Sequence, residues 1–194
     1  MKKGLLIILS GPSGVGKGTV RMKVMDDPSL NLWYSVSLTT REKRPGEVNG
    51  REYHFVSDEE FNRQLKEGNL LEHAGFVGHQ YGTPKDKEEE KRASGVNVFL
   101  EIDVQGATQI LSKCPDAISI FLLPPSFPEL EKRIRGRCTE EESVIEARLK
   151  RAAEEIKLST HYKYIVINDS VEKAAAQIKS IVRKESAELA EEAL

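Results

Sequence analysis

The chain has little cysteine, almost no net charge and no long apolar run, and each lack closes off a class of function. Its two cysteines, Cys114 and Cys138, lie far apart without metal-type spacing, so a secreted disulfide framework is not expected and a reduced, cytoplasmic setting fits. His54, His73, His79 and His161 show no ligand spacing either, which argues against zinc, and no side chain is expected to ligate a metal directly. The 29 basic and 31 acidic residues leave a formal charge of −2. No overall field therefore draws the chain to nucleic acid. No stretch approaches a membrane span, and the few apolar residues before Ser10 are too short for the core of a signal peptide. Repeats and low-complexity tracts are absent. At 194 residues, one domain with inserted parts is expected.

What is present is an alternation. Apolar strand candidates at 5–9, 96–102, 118–123 and 164–167 are separated by charged, helix-like segments. This predicts an α/β fold with a central, mainly parallel sheet. Ser57 with Glu60, Ser126 with Glu129 and Thr139 with Glu142 have capping-box spacing, and Thr83 with Pro84 reads as a helix start that ends at Gly95. Between the first helix and Thr83 the pattern changes to short β-like pieces, at 33–39, 52–56 and 70–76, around one short helix. Residues 36–84 thus read as an insertion into a core of 1–35 and 85–194. A densely charged piece within 136–146 reads as a lid, and 171–194 as an amphipathic helix. Trp33, Phe121 and Phe127 are expected in the core.

Residues 11–19 read GPSGVGKGT and follow the first strand candidate. The pattern G-x-x-x-x-G-K uses its glycines to turn backbone N–H groups toward phosphate oxygens, at dihedrals a Cβ would penalise. Lys17 brings a mobile charge to the β- and γ-phosphates, and a helix starting near Gly16 adds its positive end. Gly11, Pro12, Ser13, Gly14, Val15, Gly16, Lys17, Gly18 and Thr19 are therefore the expected cradle of a nucleoside triphosphate. Gly18 departs from the motif, which usually places there a serine or threonine hydroxyl that reaches magnesium; Thr19 follows it.

Three further clusters carry charge. Arg41 and Arg44, with hydroxyls at Ser37 and Tyr53, could form a multi-donor site for a phosphate monoester, or simply a solvated basic turn. Glu101 and Asp103 fall at the end of a strand, where open α/β sheets place ligand groups, although Asp103 could equally cap the next helix. Arg133 and Arg137 are four apart, and Arg148 and Arg151 three apart, so each pair shares a helical face if the helices extend that far.

GPSGVGKGT, SLTTREKRPGEVNGREYHF, LLEHAGFVGHQYGTP, FLEIDVQG and IRGRCTEEESVIEARLKRA occur in the order seen in guanylate kinases, and the chain resembles that family over nearly its whole length. The resemblance implies a P-loop nucleoside monophosphate kinase fold and magnesium-assisted transfer of a phosphoryl group from ATP to GMP, with dGMP not distinguished. It implies that Ser37, Arg41, Arg44, Tyr53 and Tyr81 hold the acceptor phosphate, and that Glu72 and Thr83 hold the guanine, with Asp103 on the same side. A carboxylate suits guanine because N1–H and N2–H₂ are adjacent donors that adenine lacks. The resemblance further implies that Arg137 and Arg148, with Arg133 beside them, neutralise the transferring group, that Asn168 lies at the adenine, and that Cys138 occupies a lid position where the family often has glycine. Arg151 is the weakest of these arginines. Two alternatives remain beside this reading: a noncatalytic guanylate-kinase-like module that binds a phosphopeptide, and a kinase for another nucleoside monophosphate. Oligomeric state is not legible.

Overall fold

The first apolar run shows no alternation because it is buried on both faces. In a computed structural model, which describes residues 3–76, 78–136 and 141–191, the chain begins with β1 (Leu6–Ser10), α1 (Lys17–Met25) and β2 (Leu32–Tyr34). There follow β3 (Leu38–Thr39), β4 (His54–Phe55), α2 (Asp58–Lys66), β5 (Leu70–Phe76), β6 (His79–Pro84) and α3 (Asp86–Ala93). The remainder is β7 (Asn97–Glu101), α4 (Val104–Lys113), β8 (Ile118–Leu123), α5 (Phe127–Arg135), α6 (Glu142–Lys157), β9 (Tyr164–Ile167) and α7 (Val171–Glu191).

Five strands form a parallel sheet in the order β2-β7-β1-β8-β9. Ile7 and Leu9 of β1 enter one apolar cluster with Val20 and Val24 of α1, Leu130 of α5 and Ile178 of α7. Leu6 and Ile8 enter the other, with Val104, Ala107 and Ile110 of α4. Helices on both faces leave the central strand no polar side, so it reads as a continuous apolar run. The strand order reverses at β1, which opens a crevice beyond the carboxyl ends of β1 and β7.

A second sheet, ordered β4-β3-β6-β5, stands beside that crevice. β3 pairs parallel with β4 and antiparallel with β6, and β5 pairs antiparallel with β6. Phe61 of α2 is fully buried, seated against this sheet close to Gly82.

Local expectations hold at several caps. Ser57 and Ser126 each accept from the N–H three residues on, of Glu60 and Glu129, and Gly95 has a left-handed φ of 82° just after α3. Four expectations change. The β-like piece 33–39 divides: β2 joins the parallel sheet through β7, while β3 belongs to the second sheet. Thr83 and Pro84 end β6, and α3 starts two residues later with Lys85 at its N-cap. Thr139 lies outside the described residues, and Glu141 is the N-cap of α6. Phe127, at the first position of α5, is 39% exposed because it begins the helix on its solvent side.

Candidate active site

Between the loop after β1 and the second sheet lies a cavity of about 790 Å³, ample for a small-molecule site. One end is the loop. Gly14 and Gly16 have φ of 85° and 98°, values that disfavour any side chain. At Gly16 a Cβ would also press on the Asn168 amide, 2.8 Å away. α1 begins at Lys17 with Gly16 as N-cap and no side-chain cap, so its first N–H groups remain for an anion. Lys17 Nζ donates to the carbonyls of Gly11 at 2.5 Å and Pro12 at 3.1 Å. Burial lowers its pKa from the ordinary lysine value, while the charges of Glu101, Glu155 and Asp103 oppose that shift.

Side chains from elsewhere hold the loop in shape. The Asn168 amide donates to the Val15 carbonyl at 2.8 Å, and Arg133 donates to the Val15 and Asn168 carbonyls at 3.4 and 3.2 Å. The family resemblance places Asn168 at the adenine. Its side chain is buried beside the loop, with its amide N–H on that carbonyl. Arg148 donates to Ser13 Oγ at 2.9 Å, which brings α6 onto the loop. Gly11, Ser13, Gly14, Gly16, Lys17, Gly18 and Thr19 line the cavity. Pro12 and Val15 are buried loop residues off its lining.

The other end is made of side chains just before β3, between β3 and β4, and on β6. Ser37, Arg41, Arg44, Tyr53 and Tyr81 all line the cavity. Arg41 is held as a fork, its Nη1 and Nη2 donating to the two oxygens of Glu47 at 3.0 and 2.8 Å. Burial works against both charges, but the pair outweighs it: the Arg41 pKa is raised and that of Glu47 lowered. Tyr53 stands edge-on to Tyr81, their centroids 5.7 Å apart, and burial raises its hydroxyl to about 12, so it is a neutral donor.

Glu72 of β5 sits below this cluster, only 3% exposed. Burial raises its pKa to about 7, with the Asp103 charge adding to the rise and hydrogen bonding from Thr83 opposing it. Thr83 donates its hydroxyl to Glu72 Oε1 at 2.6 Å and is itself fully buried. Thr83 therefore neither caps α3 nor faces the cavity; being on β6 beside β5, it orients the carboxylate. Asp103 does two things at once. It caps α4 by accepting from Gly106 N at 2.9 Å, and it lines the cavity while pairing with Arg151 at 3.1 Å.

One residue of this arrangement, Gly106, carries no signal in the sequence, and another, Arg151, has a larger part than its place last among the arginines implies. A Cβ on Gly106 would overlap the Glu72 carboxylate, so glycine is what lets β5 and α4 meet there. Arg151, ranked weakest, bridges the cavity: it pairs with Asp103 and Glu155 and stacks 4.6 Å over the Phe76 ring at the end of β5. Its spacing from Arg148 was the available signal. Arg137 and Cys138 lie outside the described residues.

A family model described as guanylate kinase matches residues 3–185. The chain is 52% identical to a guanylate kinase of Lactiplantibacillus plantarum, covering 95% of this chain and 89% of that protein. It is 51% identical to one of Streptococcus agalactiae, covering 95% and 88%. Among solved structures, a guanylate kinase from Anaplasma phagocytophilum superposes with a TM-score of 0.80 at 37% identity, covering 95% of this chain and 87% of that one.

Proposed function

The chain belongs to the guanylate kinase family, and from that membership we infer that it transfers the γ-phosphoryl group of ATP reversibly to GMP, giving ADP and GDP. The observation that carries the residue assignments is the two-ended cavity, with a backbone cradle for a triphosphate at one end and a forked arginine and buried carboxylate at the other. We assign the donor phosphates to the loop and Lys17, the acceptor phosphate to Ser37, Arg41, Arg44, Tyr53 and Tyr81, and the guanine to Glu72, with Thr83 acting through it and Asp103 alongside. Asn168 and Arg133 serve ATP by holding the loop.

Phosphoryl transfer asks little covalent chemistry of the protein, because its loose transition state needs alignment and compensation of spread negative charge. Lys17, Arg41 and Arg148 supply that charge, and Arg137 is assigned with them from the family resemblance. The acceptor phosphate is already largely ionised at neutral pH, so no general base is assigned. The cavity lining suits an ion carried mainly by phosphate and water oxygens. Glu101, Asp103 and Glu155 line it, while no group of three His, Cys, Asp or Glu among the described residues could hold a metal alone. Bound with the triphosphate, Mg²⁺ supplies charge neutralisation and orientation. We place the reaction in the cytoplasm, consistent with the free thiol of Cys114. Among the described residues no helix is long and apolar enough to cross a membrane.

The test is ADP formation from ATP and Mg²⁺ with GMP, dGMP, AMP, UMP and CMP in turn. GMP should give the highest kcat/KM, with AMP lower by several orders of magnitude. Equal use of AMP, UMP or CMP would overturn the guanine assignment, and absence of turnover with every acceptor would overturn the kinase reading.

A further inference from the structure

The loop departs from its motif at Gly18, and the structure puts a carboxylate beside the place the usual hydroxyl would hold. A Cβ at position 18 would lie 3.7 Å from Glu101 Oε1 and 3.9 Å from Oε2. Those are ordinary van der Waals distances, so the end of β7 approaches as far as a small side chain there would reach. Arg21, one turn further along the same face of α1, donates its Nε to Glu101 Oε2 at 2.8 Å. The guanidinium carbon lies over the Tyr34 ring, 4.0 Å from its centroid. Arg21 and Glu101 keep about a fifth of their side-chain exposure, at 19% and 20%, enough shielding for the pair to define a geometry.

Glu101 has a second cationic neighbour. Its charge is the largest of those supporting protonation of Lys17. A Glu101 free to rotate could turn toward that ammonium and compete with the phosphates for it. Arg21 engages Oε2 through its Nε, and Oε1 is the oxygen nearer to a Cβ at position 18.

We propose that Arg21 is a positioning residue that fixes Glu101 where the loop hydroxyl is missing, so that Glu101 orders the hydration shell of the divalent ion carried by the donor triphosphate. The proposal rests on the donor-site assignment above. It also accounts for how this loop does without a hydroxyl at position 18: an outer-shell carboxylate, itself oriented by a cation, takes over that work.

The test is calorimetric titration with a non-hydrolysable ATP analogue, with and without Mg²⁺, alongside melting temperatures. Arg21→Met keeps a long apolar side chain at this position and removes the charge. It should lower the Mg²⁺-dependent gain in analogue affinity about tenfold while metal-free affinity stays as in the parent. Gly18→Ser in the same chain should restore the gain by returning the hydroxyl. An unchanged gain in Arg21→Met would overturn the proposal. So would a parallel fall with and without Mg²⁺, which marks a merely structural residue, or a double variant that stays as low as the single one. Failure of the parent protein to bind the analogue would instead sink the donor-site assignment.

Discussion

The loop end of the cavity is built from backbone and the sheet end from side chains, and the two ends differ in what each must do before a ligand arrives. At the loop, the glycine dihedrals, the Asn168 and Arg133 clamps and the helix start define the anion site whatever the protonation of nearby groups. At the sheet, Arg41 is paired with Glu47, and Glu72 is buried with a pKa near neutrality. The loop end is set by backbone dihedrals and hydrogen-bonded clamps, the sheet end by charge balance. A phosphate cradle serves any nucleoside triphosphate, whereas discrimination between bases requires a buried group that loses free energy when wrongly partnered. In the proposed assignment, that requirement is met by the buried carboxylate at the sheet end.

The contrast is sharpest at Lys17. Lys17→Ala should lower kcat about 10³-fold with little change in melting temperature, because the ammonium's hydrogen bonds among the described residues go to the Gly11 and Pro12 carbonyls of the loop itself. Turnover within a few-fold of the parent would show that the backbone alone suffices.

Glu72→Gln should come next, lowering kcat/KM for GMP about 100-fold while leaving the KM for ATP unchanged, since an amide offers only one acceptor to two adjacent donors. The same group makes acceptor binding depend on pH. With a pKa raised to about 7 in the free protein, the carboxylate that accepts from guanine is present above that pH and is lost as pH falls through it. kcat/KM for GMP should therefore drop about tenfold for each unit below 7. The substrate phosphate titrates near 6 in both proteins, so Glu72→Gln should keep that inflection and lose the one near 7. Identical profiles for parent and variant would refute the role of Glu72.

The two ends also differ in how far they were legible. Loop, strand and helix follow one another within 20 residues, and the spacing of Gly11, Gly16 and Lys17 reports their dihedrals directly. The acceptor end draws on residues from Ser37 to Asp103, and its residue types alone allowed a solvated basic turn until the longer motif was weighed. Thr83–Pro84 misled because a hydroxyl followed by proline suits a helix start as well as the last pair of an edge-adjacent strand. Residues 33–39 misled because β propensity does not tell one sheet from another; the chain leaves the first sheet at Ser35, whose hydroxyl binds the buried Glu88 of α3. Arg21 and Gly106 act through contacts with Glu101 and Glu72, partners 80 residues away for Arg21, and no local pattern signals such a pairing.

Gly106 offers the smallest perturbation that still separates the two ends. Alanine is the better helix former, by about 1 kcal/mol at an interior position, so Gly106→Ala should not lower stability through α4 itself. The added methyl overlaps the Glu72 carboxylate and must displace it by about 1 Å, and a misplacement of a recognition group on that scale weakens binding by about 10- to 100-fold. The KM for GMP should rise by that amount while the KM for ATP stays near the parent value, and the melting temperature should fall by the few degrees that buried overpacking of about 1–3 kcal/mol implies. A rise in the KM for ATP of the same size would mean that α4 had moved as a body and carried Asp103 with it, and the two ends would then be one mechanical unit rather than two.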